Sequence, residues 1–306
     1  CLRLVGSEMC IRDRFLNEGW DVVGLDNLND YYSIQLKKDR IKRIKQYIEK
    51  IDSSFNFICS DLNSTVWASL EIYDFDAIVH LAAQAGVRYS LENPHTYLES
   101  NVLGFQRVLD FVKKTKTKRF VYASSSSVYG KDSKQPFEEN ESCNSPESYY
   151  AATKKMNELM AKSYSHTHSI SSVGLRFFTV YGPWGRPDMA PMLFADAIFN
   201  NKTVKVFNYG DQKRDFTYVD DIVEGILSVI LSSRFPNGAE VYNIGNGSPV
   251  GLLEFIRLIE KASESELRKD FVEAQKGDVS ETFADISKIH QLTGYKPKTD
   301  INQGID

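Results

Sequence analysis

The chain has no apolar run approaching the roughly 18 residues that a membrane span requires, and no secretory signal is visible, so no membrane partner is expected. Its four cysteines, Cys1, Cys10, Cys59 and Cys143, form no Cys-x-x-Cys pair and no zinc spacing, and are expected as free thiols in a reducing, cytoplasmic compartment. His166 and His168 lack carboxylate or cysteine partners at ligand spacing, so no metal is expected. Excess positive charge is missing as well. With 37 basic and 41 acidic side chains the net charge is −4, which argues against nucleic acid and makes any basic cluster a device for a local anion. The stretch holding Lys37, Lys38, Arg40, Lys42, Arg43 and Lys45 is accordingly expected as a solvated helix face.

What is present suffices for a large core. At 306 residues, with 42% hydrophobic and 12% aromatic side chains, the chain can form one large α/β domain with an appended lobe. Short β-branched runs, Trp20 to Leu25, Phe55 to Ile58, Ala77 to Leu81, Phe120 to Ala123 and Val173 to Arg176, read as buried strands. Helical periodicity over Ile34 to Ile51, Asn101 to Lys116 and Ser148 to His166 separates them. The alternation predicts an α/β fold, a Rossmann-like doubly wound parallel sheet over residues 1–176. Denser punctuation follows, Gly182-Pro183-Trp184-Gly185-Arg186-Pro187 and then Asn208-Tyr209-Gly210-Asp211. It marks a smaller lobe over residues 177–306, with segments returning to the main sheet. Ligands bind such sheets at the carboxyl ends of the strands, where Asp26, the Ala82 to Gly86 segment and Ser125 all fall.

Ser125, Tyr150 and Lys154 form a trio able to take a proton from an alcohol. A phenol with a reference pKa of about 10 is a poor base at neutral pH. A lysine ammonium one helical turn away, with a serine hydrogen bond, is expected to stabilise the phenolate and lower that value. The Tyr-x-x-x-Lys spacing alone is weak, because tyrosine and lysine are both abundant here.

The cofactor signal is incomplete. Asp26, ending Val22-Val23-Gly24-Leu25, stands where an acid would accept the adenosine ribose hydroxyls of NAD and repel the extra phosphate of NADP, although a strand-end Asp also caps turns. Asp61 follows the next strand in the same way. The glycine turn that lets the backbone approach a pyrophosphate is missing: where glycines are expected near residues 2, 5 and 8, the chain has Leu2, Val5 and Glu8, and Gly6 is the only one nearby. Residues 1 to about 13 are therefore expected to be a truncation joined to foreign or mistranslated sequence.

From Phe15 onward the chain resembles the extended short-chain dehydrogenase/reductases, and within them the UDP-glucuronate 4-epimerases. The likeness is carried by Val22 to Tyr32, His80 to Tyr89 with Leu91-Glu92-Asn93-Pro94, Tyr122 to Gly130, Tyr150 to Met160, Gly174 to Met189 and Lys213 to Gly225. Two departures are the glycine turn and an end at Asp306, where family members usually continue through a last helix. The resemblance implies Tyr150 as base, Lys154 as its electrostatic partner and ligand of the nicotinamide ribose, and Ser125 as hydrogen-bond partner of the reacting oxygen. It also implies a NAD site formed by Asp26, Asn27, Asp61, Leu62, Leu81, Ala82, Gln84 and Asn101. Arg214 would bind the diphosphate of a UDP-sugar and Phe207 would lie near the uracil. The alternatives are a surface ion pair with Asp215 or Asp211 for Arg214, and core packing for Phe207. A homodimer through the Asn101 and Ser148 helices is implied too.

The reaction so implied removes hydride from C4 of the sugar and returns it to the opposite face. With a C6 carboxylate, the 4-keto sugar is a β-keto acid prone to lose carbon dioxide, so the carboxylate must be restrained by neutral donors or a cation. Ser126, Ser127, Thr179 and Arg186 occupy the matching positions, and Arg88 adds a second cation. Alternatives for Arg186 and Thr179 are a structural loop arginine and a backbone-satisfied hydroxyl. Related dehydratases and decarboxylases carry an acid where this chain has Ser127, which argues against elimination and decarboxylation. A UDP-glucose 4-epimerase and a non-catalytic sugar-nucleotide-binding protein remain open at this stage.

Overall fold

The computed structural model describes residues 14–274 and 279–306. The expectation about residues 1 to 13, including the missing glycine turn, lies outside the described residues. Six parallel strands carry the larger half. Val22–Asp26 pairs Phe55–Cys59, and Ile78–His80, Phe120–Ser125, Ser172–Phe177 and Ala239–Ile244 follow one another in a four-stranded sheet. The last of these lies beyond residue 176 and pairs the strand Ser172–Phe177.

Period-two alternation explains the layers. Along adjacent strands Val121, Val173 and Leu175 point into one cluster, completed by Ile222, Ile226 and Ile230 of the helix Val219–Leu231. Phe120 and Tyr122 point the opposite way, into Phe105, Leu109 and Val112 of the helix Gly104–Thr115. Both faces of the strands are thus covered, as parallel sheets require. Close packing fixes some side chains strictly: a Cβ on Gly174 would lie 2.6 Å from the Tyr122 hydroxyl in the neighbouring strand.

The strands and helices lie close to where the sequence places them, with local chemistry setting the ends. The helix Tyr149–His168 starts because the Ser148 Oγ accepts the Ala151 N–H at 3.1 Å, and it stops at Ser169, which turns left-handed at φ 56°. The helix Ile34–Ile48 is capped by Ser33. The expected Asn101 to Lys116 helix is instead a π-helical turn, Leu98–Leu103, leading into Gly104–Thr115, and Asn101 sits in that turn.

Further strands pair apart from these, Thr179–Tyr181, Lys213–Tyr218, Pro249–Gly251 and Glu281–Thr282 in one set and Thr203–Phe207 with Arg268–Val272 in another. Their core joins Tyr181, Phe194, Phe216 and Phe255, with the Phe216 and Phe255 rings stacked at 4.0 Å.

One expectation is corrected. Lys37 and Arg40, read as part of a solvated face, are 4% and 2% exposed. The Lys37 ammonium donates to the Asn29 backbone and side-chain oxygens, both at 2.6 Å. Arg40 donates from Nη1 to the Tyr32 hydroxyl at 2.7 Å, and from Nη2 to the carbonyls of Trp184 at 2.5 Å and Gly185 at 3.1 Å. Charge patterning along one helix does not reveal acceptors supplied by a loop far along the chain.

Candidate active site

Strand ends and helix starts bring the trio together. Ser125 closes its strand, Tyr150 stands in the first turn of the capped helix, and Lys154 follows one turn later. The Lys154 ammonium donates to the Ala123 carbonyl at 2.8 Å, tying this helix to the strand that carries Ser125. All three line a cavity of about 310 Å³, together with Ser126, Ser127, Thr179 and Arg186. A wider depression of about 1100 Å³ opens at the opposite, amino ends of the strands beside Trp20, Val22, Ala77 and Arg119, away from the trio.

The electrostatics depart from expectation. Burial raises the Tyr150 phenol above its ordinary value, and the Ser125 hydrogen bond and the Arg186 charge, which pull it down, offset this only in part. Arg186, far along the chain, is thus a cation acting on this phenol. Ser125→Ala is therefore expected to move the acid limb of the pH–rate profile to higher pH, because one of the groups favouring phenolate is lost. Activity would fall at neutral pH and recover on the alkaline side. An acid limb that stays in place, measured as kcat/KM against pH, contradicts this.

Asp26 lies at the end of its strand and accepts the Leu28 N–H at 2.6 Å. Asn27 donates to the Asp61 carboxylate at 2.7 Å, which links the ends of the two neighbouring strands. Asp26 and Gln84 line a small recess with Asn29, Tyr31, Tyr32, Lys37 and Arg186. Leu62 and Ala82 belong to a hydrophobic core cluster, and Leu81 reaches the cavity that holds the trio. Asn101 is buried and commits its amide to the fold. Its Oδ1 accepts Gln84 N–H at 2.7 Å, and its Nδ2 donates to the Gln84 carbonyl at 3.0 Å and to Thr153 at 3.1 Å. It thereby sets the path of the Gln84 backbone beside the catalytic helix.

These features fit a dinucleotide: an acid at one rim, a lysine at the other and a close-running backbone between them. Gly86, at φ 104°, belongs to that backbone, and a Cβ there would lie 2.8 Å from the Tyr31 hydroxyl. Residues 3–245 match the NAD dependent epimerase/dehydratase family. The chain belongs to that family, and NAD is its cofactor. It is 43% identical to the protein CapI of Staphylococcus aureus, over 99% of this chain and 93% of that protein. It is 41% identical to UDP-glucuronate 4-epimerase 4 of Arabidopsis thaliana, over 94% of this chain and 68% of that protein. Among solved structures, UDP-glucuronic acid 4-epimerase from Bacillus cereus, in complex with UDP-glucuronic acid and NAD, superposes with a TM-score of 0.87. It is 32% identical, with 98% of this chain and 93% of that chain covered.

In this epimerase/dehydratase the remaining candidates gather from both halves. The Arg88 guanidinium lies 4.6 Å over the Phe207 ring, joining a cofactor-side loop to the smaller lobe. Arg214 donates to the carbonyls of Lys213 at 2.9 Å and Ser280 at 3.1 Å, and to the Gln212 side chain at 3.2 Å. Asp215, one of its expected ion-pair partners, is instead fully buried and accepts the N–H groups of Asn246, Gly247 and Ala284. The 3-10 turn Ser126–Tyr129 places Ser126 and Ser127 on the cavity wall, and Thr179 starts the next strand along it.

Two arrangements escaped the sequence reading. Arg186 is paired with Asp188, which also accepts the Tyr31 hydroxyl. Beneath the trio, Glu158 accepts the Ser124 hydroxyl at 2.7 Å and two Arg176 bonds at 2.9 Å each. Glu158 repeats the helix face of Lys154, a spacing visible in the sequence, but its partner strand is not.

Proposed function

We infer that this enzyme epimerises C4 of a UDP-sugar, converting UDP-glucuronate to UDP-galacturonate. The observation that carries this reading is the composition of the cavity: a Tyr150, Lys154 and Ser125 trio facing a wall of Ser126, Ser127, Thr179 and Arg186, with no carboxylate among the described residues that line it. Neutral donors and one cation are what a C6 carboxylate needs, and an acid at Ser127, suited to elimination, is absent.

Bound NAD supplies the hydride acceptor and donor for C4. Tyr150 takes the C4 hydroxyl proton while Ser125 holds the oxygen, giving a 4-keto sugar, and returns a proton after the sugar has turned over. Lys154 orients the nicotinamide ribose, and Asp26, Asn27, Asp61, Leu62, Leu81, Ala82, Gln84 and Asn101 form or support the rest of the NAD site. Arg214, Arg88 and Phe207 hold the nucleotide, so binding energy remote from the chemistry retains the loosely held sugar.

A second reading, epimerisation of a neutral UDP-sugar such as UDP-glucose, is favoured by one observation: Arg186 already has an internal carboxylate partner in Asp188. Purified protein supplied with NAD and each sugar in turn decides between them. Galacturonate formation is expected; turnover of UDP-glucose with UDP-glucuronate untouched refutes the substrate assignment, and turnover of neither favours a binding protein.

A homodimer is supported by exposed apolar side chains at the expected helices, Leu98 and Leu103 in the π-helical turn and Met156 and Leu159 in the helix Tyr149–His168. Sedimentation at the mass of two chains is expected, and a Leu159→Asp variant should sediment as one. A wild-type protein that stays monomeric at micromolar concentration removes this assignment.

A further inference from the structure

Arg186 and Asp188 make two parallel bonds, Nε to Oδ1 at 3.0 Å and Nη2 to Oδ2. The same Oδ2 accepts the Tyr31 hydroxyl at 3.1 Å. Tyr31 belongs to the loop that follows Asp26, whereas Arg186 and Asp188 follow the strand Thr179–Tyr181, so the chain of bonds crosses from the cofactor half to the smaller lobe. Arg186 also lines the catalytic cavity and acts on the Tyr150 phenol. Burial disfavours its charge, and the Asp188 bond and charge more than offset that. A guanidinium docked through its Nε and Nη2 edge retains Nη1 for a second partner.

This step rests on the reading of Arg186 as the group that holds a uronate carboxylate. We propose that Asp188, anchored by Tyr31, is a specificity-determining positioning residue: an internal stand-in for the substrate carboxylate that holds Arg186 in place and shares it when a uronate enters. With a neutral sugar the pair stays closed on itself. With a uronate, two carboxylates draw on one cation, and each weakens the hold of the other. Asp188 thereby tempers uronate binding and speeds release of a product that carries the same carboxylate.

Calorimetric titration of the full chain with UDP, UDP-glucose and UDP-glucuronate tests this in wild type, Asp188→Asn, Tyr31→Phe and Arg186→Met. In Asp188→Asn the UDP-glucuronate Kd should fall about tenfold, or about 1.4 kcal/mol. UDP and UDP-glucose should stay within about twofold of wild type, and kcat on the uronate should drop as product is held longer. Tyr31→Phe should shift the same ratio in the same direction by less. An unchanged uronate-to-glucose ratio in Asp188→Asn, or one shifted toward glucose, with UDP binding intact, overturns the proposal. If Asp188→Asn no longer binds UDP, Tyr31→Phe decides, and an unchanged ratio there overturns it equally. Arg186→Met separates the two levels: if it leaves the ratio as in wild type, the carboxylate role of Arg186 fails, whereas a ratio that responds to Arg186→Met but not to Asp188→Asn sinks only the role of Asp188.

Discussion

Tyr150→Phe should lower kcat by about 10²- to 10⁴-fold, the range expected when a positioned acid–base group is lost, while leaving the affinity for UDP-sugar close to wild type. The ring remains, and with it the edge contact with Tyr97, whose centroid lies 6.1 Å away. Only the oxygen that meets Ser125 is removed. Substrate binding draws on residues elsewhere in the cavity and in the smaller lobe, so KM should move little. Because burial holds this phenol high, the wild-type rate should climb with pH through the neutral range as phenolate forms, and the variant should lose that dependence. A variant that keeps more than about a tenth of the wild-type kcat, against the 10²-fold minimum above, would show that another group takes the proton.

The second large effect concerns the layer beneath the trio. Glu158→Ala should destabilise the protein by about 3–5 kcal/mol, the cost of leaving one member of a buried ion pair alone. Arg176, 1% exposed, would keep its charge with the two Glu158 bonds gone, facing the Tyr129 ring at 4.7 Å. Against a total of about 5–15 kcal/mol for a typical domain, this is a large share. The effect reaches the chemistry, because Glu158 accepts the hydroxyl of Ser124 beside Ser125 and lies one turn beyond Lys154. The pH dependence follows from the sign of the shift. Burial works to raise the Glu158 carboxyl, but the Arg176 bond and charge, with Ser124 and Lys155, hold it below its ordinary value. The stabilisation is therefore complete above the unfolded pKa, about 4.3, and is lost as pH falls through the lower folded value. Urea unfolding at neutral pH and again in acid measures both. A loss under about 1 kcal/mol at neutral pH, well short of the pair's expected worth, would contradict the account.

Much of the architecture is legible in the sequence because it is short-range. The short run Phe120 to Ala123 marks a buried strand, helical periodicity marks the stretch from Ser148, and Tyr150 and Lys154 share a face through four-residue spacing. The π-helical turn holding Asn101 was not legible, since its apolar periodicity matches that of an ordinary helix. Nor were the polar bonds between distant segments. Tyr31 meets Asp188 across 157 residues, and Arg40 meets Trp184 across 144. Glu158 and Arg176 are charged residues of the kind that usually face water, and only the pairing of a helix with a strand shows that they face each other. For the same reason Lys37 and Arg40 look like surface lysine and arginine until a loop arrives to receive them.

In the loop Arg40 grips the main-chain oxygens of Trp184 and Gly185, and the left-handed Trp184, at φ 60°, is where the loop turns to offer one. What this arginine reads is the route of the loop, indifferent to the lettering on it. The bonds from Arg40 thus ask of position 184 only that it tolerate the same twist, while the Trp184 ring has partners of its own in the core and in Arg43, 5.5 Å over it; an exchange at Arg40 removes the donors that hold the loop.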